Sequence, residues 1–314
     1  MHAFQNPASY VAVSLIAPEE QYTRVSGLQA FSNSLVTIVT PAIATTMLSF
    51  FSLEAVFIFD LATFVIAFST LLLFVKIPKI NHVDKKEKFI KSCGQGIKFL
   101  REYKALWKII LFFSFINLLS SMSGNSIMPA LILARTDNNK VILGMVSSAI
   151  GIGTLLGSIL VTVMKPAKNK SKVIFLSCGL SFLLCDILWA AGKTAPIWIF
   201  AAFSGNLPLP FLNANFTTIM RTKVPIAMQG RVFAARDTFQ YITIPIGLAL
   251  GGVLADDIFE PFMLAVSPIQ HVLSLIVGTG KGSRMAVIFL ITGVIGFIVN
   301  MVSLKDSAYK DLDY

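Results

Sequence analysis

Eight apolar runs of membrane-spanning length dominate this 314-residue chain. They fall near residues 29–50, 54–75, 109–133, 141–164, 173–191, 195–220, 238–255 and 285–304. A bilayer core is crossed by about 20 apolar residues in a helix. No water reaches the backbone there, so each run must satisfy its own N–H and C=O groups as an α-helix. Only 13% of residues are charged, and mean hydropathy is +0.76. The expected fold is therefore an all-α, polytopic membrane bundle of about eight transmembrane helices, embedded in a lipid bilayer as a multi-pass protein.

The net charge of +10 comes from basic residues set between the spans. That distribution argues for membrane topology and against nucleic acid as a partner. Lys76 to Lys108 alone holds ten Lys/Arg, and two spans precede it while six follow. Placing 76–108 in the cytoplasm and alternating from there puts 21 of the 26 Lys/Arg inside. Only Arg135, Lys140, Lys193, Lys281 and Arg284 are left outside. This asymmetry orients the chain in the cell membrane with 76–108 and the C-terminus cytoplasmic. Phe89, Cys93, Ile97, Leu100 and Trp107 recur at near-helical spacing within the basic stretch, which predicts an amphipathic helix on the membrane surface.

The expected division is 1–75, 76–108, 109–304 and 305–314: a two-span unit, a basic linker, a six-helix half and a tail. Residues 262–278 are too short and too polar for a ninth span, with Pro268, Gln270 and His271 inside, and are expected to form a helix or a re-entrant piece in the outer interface. The SGNLPLP stretch should break the span near 195–220, because proline removes backbone donors. Gly153 with Gly157, and Gly247 with Gly251, form small-xxx-small pairs that let helices approach closely.

Segments 6–25 and 213–232 repeat one another. Asn6, Pro18, Arg24 and Val25 match Asn213, Pro225, Arg231 and Val232 at one offset, and each copy runs into a proline-bearing span. Asn213 follows four spans whereas Asn6 follows five residues. A symmetrical protein would hold six spans in each half, so the first half is expected to lack four.

With these features in hand, the chain resembles the major facilitator superfamily, and within it the macrolide-efflux-like branch of bacterial drug exporters. The resemblance rests on NPASYVAVSLIAPEEQYTRVSGL, TPAIATTM, AVFIFDLATFVIA, GIGTLLGS and PIAMQGRVFAARDTFQYITIPIGLALGGVLAD. It implies two six-helix halves around a central site, here the last two helices of one half and all six of the other. It also implies alternating access, efflux of an amphipathic small molecule, coupling to the proton gradient, and a monomer once four further helices are supplied. The family's acidic loop between its second and third helices has no counterpart, so the alternative is a truncated fragment that inserts without transporting, or a membrane subunit that depends on a partner.

A polar-lined cavity would draw on Asn117, Ser121, Asn125 and Met128, which share one helical stripe. Asn33 and Thr37 form a weaker stripe, and Asn213, Gln240 and Tyr241 add to it. Asp186, and less so Asp60, are ionisable groups at membrane depth and so candidates for a proton site. Arg24, Arg231, Arg236 and Asp237 mark the cytoplasmic starts of two spans, as gate or as helix-end charge.

No cofactor is called for. His2, His82 and His271 lack metal-ligand spacing, and Cys178 and Cys185 sit too far apart on one helix for a disulfide. No Ser/His/Asp constellation or phosphate-binding loop indicates an enzyme.

Overall fold

The computed structural model describes residues 10–50, 53–74, 89–124, 127–265 and 267–313. Among them there is no strand. The helices are α1 (10–16), α2 (Tyr22–Phe50), α3 (Leu53–Phe74), α4 (Phe89–Glu102), α5 (Lys104–Ser123) and α6 (Ile127–Arg135). They continue as α7 (Lys140–Val163), α8 (Lys170–Ala191), α9 (Ala195–Lys223), α10 (Ile226–Leu264), α11 (Pro268–Val277) and α12 (Ser283–Lys305). Among the described residues, six stretches are long and apolar enough to cross a membrane: α5 with α6, then α7, α8, α9, α10 and α12. With α2 and α3, at 29 and 22 residues, this is the expected polytopic bundle.

Helices lacking a hydrophobic drive toward one another in lipid must gain from close backbone packing. Glycine supplies it here. A Cβ on Gly153 or Gly157 of α7 would collide with the carbonyl oxygens of Phe203 and Leu207 on α9. A Cβ on Gly247 or Gly251 of α10 would strike those of Leu118 and Met122 on α5. The α9 helix is interrupted at 207–208, between Asn206 and Leu209, where Pro208 and Pro210 withhold their donors.

Two buried cores result, one toward each end of the bundle. Leu106, Ile109, Phe113, Phe175, Ile219 and Phe233 belong to the core nearer α4. Leu131, Val146, Trp189, Trp198, Val277 and Phe289 belong to the core at the opposite end. The C-terminal turn Ser307–Leu312 docks on the first core through Tyr309 and Leu312.

Two expectations change, and a third, that 262–278 is shorter than a span, holds. The basic helix α4 turns the described part of its apolar face to protein: Leu100 is wholly buried in the first core, Gly96 lets the Arg231 carbonyl of α10 come close, and the Phe89 and Cys93 side chains lie outside the described residues. The span expected near 238–255 is part of a helix running from Ile226 to Leu264, because AMQGRVFAARDTFQ contains no helix breaker. The 262–278 stretch divides into the end of α10 and the ten-residue α11, which is too short to cross.

Most of the described side chains of α3 are uncovered within this chain. Phe57, Ile58, Leu61, Phe64, Ile66 and Phe68 are all exposed, on every side of the helix. A helix apolar all round belongs in hydrocarbon or inside a larger bundle.

Candidate functional site

Two polar clusters are built into the apolar bundle. The first lies where α1 and α2 meet α9 and α10. Pro18 and Pro225, the matched prolines of the repeat, both take extended backbone angles immediately before a helix (ψ 151° and 138°). Beyond them, Thr23 Oγ1 of α2 hydrogen-bonds Thr218 Oγ1 of α9 at 3.0 Å. Arg221, only 2% exposed, donates to Ser26 Oγ at 3.1 Å and to Gln29 Oε1 at 3.3 Å. Its guanidinium carbon lies 5.7 Å from the ring centroids of both Tyr10 and Tyr22. Arg236, 4% exposed, stacks on Tyr10 at 4.9 Å and on Phe233 at 5.0 Å, and it pairs with Asp237 at 2.6 Å. A desolvated guanidinium on an aromatic face gains roughly 2 kcal/mol.

This arrangement corrects one reading of Asp237. With α10 starting at Ile226, Asp237 is mid-helix and buried, so it offsets Arg236 and not a helix end. Of the four residues placed at the cytoplasmic starts, Arg236 and Asp237 are together. Arg24 is exposed, and Arg231 bonds to Gln95 of α4.

Asp186 forms the second cluster. It lies in a π-helical segment of α8, Phe182–Ile187, gripped by glycines of two neighbours. A Cβ on Gly205 of α9 would overlap Cys185, and one on Gly293 of α12 would press on Asp186 and Ile187. π-Segments often occur at functional sites. Asp186 Oδ1 accepts from Ser123 Oγ of α5 at 2.9 Å and from Thr292 Oγ1 of α12 at 3.3 Å. No Lys, Arg or His lies within ion-pair distance among the described residues. Asp60, by contrast, is exposed on α3.

A third set, the expected cavity residues, does not share one face. Ser121 is buried where its Cβ opposes Gly247, which makes it a packing position. Gln240 is buried on α10. Asn117 and Met128 are half-buried, while Asn33, Asn213 and Tyr241 are exposed. The Thr37 side chain and all of Asn125 lie outside the described residues, as do Asn6 and the linker at 75–88.

Sequence reading passed over Arg221, Ser123 and Thr292. Arg221 falls just past the apolar run near 195–220, so hydropathy alone assigns it to the following loop. The signal was there: Asn215, Thr218 and Arg221 recur at helical spacing in an otherwise apolar run. Ser123 and Thr292 are 169 residues apart, and only packing of α5 and α12 on α8 brings them to Asp186.

Buried polar pairs, glycine-mediated contacts and successive apolar spans define a polytopic helical membrane protein. Its sequence matches the Major Facilitator Superfamily profile over residues 1–248, and the chain belongs to that family. It is 27% identical to Macrolide efflux protein A of Streptococcus pyogenes, over 82% of this chain and 64% of that protein's length. Its identity to Macrolide efflux protein A of Enterococcus faecalis is also 27%, over 78% of this chain and 76% of that protein. It is 20% identical to the uncharacterized MFS-type transporter YvqJ of Bacillus subtilis, over 87% of this chain and 65% of that protein.

Proposed function

We propose that this chain acts in the efflux of amphipathic, macrolide-like small molecules by alternating access, driven by the proton gradient. The observation that carries the proposal is the similarity to two macrolide efflux proteins across about four-fifths of the chain. The buried polar clusters supply a physical route. The contact of α1 and α2 with α9 and α10 is a closure that can separate. It places two guanidinium groups at an interface held by hydroxyls, an amide, aromatic faces and one carboxylate. Separation would return both cations to water, so hydration favours opening while the hydrogen bonds favour closure. Such balanced contacts suit a two-state switch.

In this reading α4 and the C-terminal turn face the cytoplasm, and the Arg221 contact closes that side. Substrate meets the polar side chains left uncovered, Asn33, Asn213 and Tyr241, with half-buried Asn117 and Met128. Asp186 is the group that takes and releases the coupled proton, because an unpaired carboxyl at membrane depth is a functional position by default.

The test is export of erythromycin and a fluorescent dye from a drug-hypersensitive strain carrying the chain in its membrane. Export that collapses with a protonophore supports the proposal. Export indifferent to the protonophore would remove the coupling. Insertion without export would favour a second reading, in which the chain transports only together with further helices. The bare surface of α3 supports that second reading.

A further inference from the structure

At the end of the bundle opposite α4, a cavity of about 550 Å³ opens to solvent. Arg135, Asp137, Lys193, Gly278, Thr279 and Lys281 contribute to its lining. Three cations therefore face one carboxylate. The pairing of Lys281 with Asp137 (3.3 Å) is about 80% exposed on both sides and stabilises little. Arg135 ties two helix ends together, donating to Gly192 O at 2.6 Å and to Val277 O. Lys193 has no ion-pair partner among the described residues.

This end of the bundle is otherwise poor in cations. The hydropathy pattern leaves five Lys/Arg there, and three of them meet in this one cavity. A fourth, Arg284, is already paired with Asp256 at 3.2 Å and with Glu260. The cavity is thus the place at this end where positive charge is gathered without acids to match it.

α11 leads directly into the cavity at Val277 and Gly278. Ser267 caps its N-terminus, accepting from Gln270 N at 3.1 Å. Ile269, Val272, Leu275 and Ile276 form a stripe at i, i+3, i+6 and i+7 and are 43–68% exposed. A short helix with such a face lies in the boundary between headgroups and acyl chains. Gly278 (φ 79°), Gly280 (φ 89°) and Gly282 (φ 85°) then turn the chain sharply, in conformations that other residues rarely adopt. The loop so formed brings Thr279 and Lys281 to the cavity.

We infer that this cavity binds the phosphodiester headgroup of an anionic phospholipid, with Lys193 and Lys281 holding the phosphate and the α11 stripe meeting the acyl chains. A zwitterionic headgroup fits less well, because its own cation would face three others. The inference rests on the membrane-embedded fold and is independent of what the protein exports.

The test uses the purified full chain in detergent micelles, with native mass spectrometry reading bound lipid as dioleoylphosphatidylglycerol or dioleoylphosphatidylcholine is titrated. Lys193 and Lys281 are both exposed, so Lys193→Gln and Lys281→Gln leave the fold intact, while Arg135 is kept. Phosphatidylglycerol should bind in preference to phosphatidylcholine, weaken about fivefold with each lysine removed, and lose its preference in the double variant. A Lys98→Gln, Lys104→Gln control at the opposite end should bind as the parent does. Equal retention by parent and double variant would overturn the inference, as would equal binding of the two lipids. Full displacement by millimolar inorganic phosphate would also overturn it, since the site would then be one for free anions.

Discussion

Arg221 on α9 donates to Ser26 Oγ on α2 at 3.1 Å, so a guanidinium that is 2% exposed is held by a hydroxyl of another span. Three residues back along both α2 and α9, the same contact changes chemistry: Ser26 gives way to Thr23, and Arg221 to Thr218, whose hydroxyls meet at 3.0 Å. Side chains so directed can be bridged by a disulfide. In Thr23→Cys/Thr218→Cys, mild oxidation should form the bridge and stop export, and reductant should restore it. The single variants control for the native thiols. Ser26→Ala removes an acceptor from a buried charged donor, a loss of about 1–3 kcal/mol for the closed form. It should slow bridging at least several-fold. A bridged protein exporting at the unbridged rate would show that this contact does not open during transport.

Glycines predict a stability contrast within one helix. Gly157 of α7 lies against the Leu207 carbonyl, where no Cβ fits, whereas a Cβ on Gly144 would meet nothing within 4 Å. Gly157→Ala should destabilise by about 1–3 kcal/mol through overpacking. Gly144→Ala should stabilise by about 0.4–1 kcal/mol by reducing the freedom of the unfolded chain. Thermal unfolding in detergent measures both, and equal melting temperatures would contradict the close α7–α9 contact.

The bundle was legible because hydrocarbon leaves the backbone few options. Apolar length marked the spans, the prolines at 208 and 210 marked the break in α9, and glycine spacing marked two helix contacts. The stretch at 262–278 read correctly as something shorter than a span. What failed had a tertiary cause. α4 has the composition of a surface-binding helix, yet its face fits Val232 and Phe233 of α10. Asp237 looked terminal because the charges before it resemble a loop, although they lie within continuous helix. Of the Asn117 stripe, α5 ends at Ser123 so that Met128 falls on α6, and Ser121 is consumed by Gly247. No local signal distinguishes a polar residue facing a cavity from one facing a glycine.

The C-terminal turn carries a pH prediction. Asp306 accepts from Ala308 N at 2.9 Å and from Lys108 Nζ at 3.4 Å. The Ala308 N–H, followed by Lys108, holds its carboxyl below the usual carboxylate range, against a small opposing effect of desolvation. A depressed folded-state pKa means stability that is fully present above the unfolded value of about 3.9 and lost as pH falls through the folded one. Asp306→Asn should therefore lower the melting temperature by a constant amount from pH 7 to about pH 5, and the difference from the parent should shrink in stronger acid. A difference that instead grew toward low pH would reverse the sign and exclude the charged form of Asp306 as the source.

Asp186 separates coupling from architecture. Its Oδ1 accepts from Ser123 and Thr292, and an amide oxygen can accept the same two bonds. Asp186→Asn therefore retains the α5–α8–α12 contact but cannot bind and release a proton. The protein should insert and melt as the parent does, while its export loses its response to the proton gradient. Asp60→Asn, on the exposed face of α3, should leave that response unchanged. Ser123→Ala removes a donor without removing the carboxyl, so it should shift the pH at which export is half-maximal and leave coupling in place. The discriminating measurement is dye export from membrane vesicles against an imposed pH gradient, with melting in detergent as the check on folding. An Asp186→Asn protein that still follows the gradient would place the coupled proton elsewhere, whereas one that also fails to fold would make Asp186 a structural residue of the π-segment.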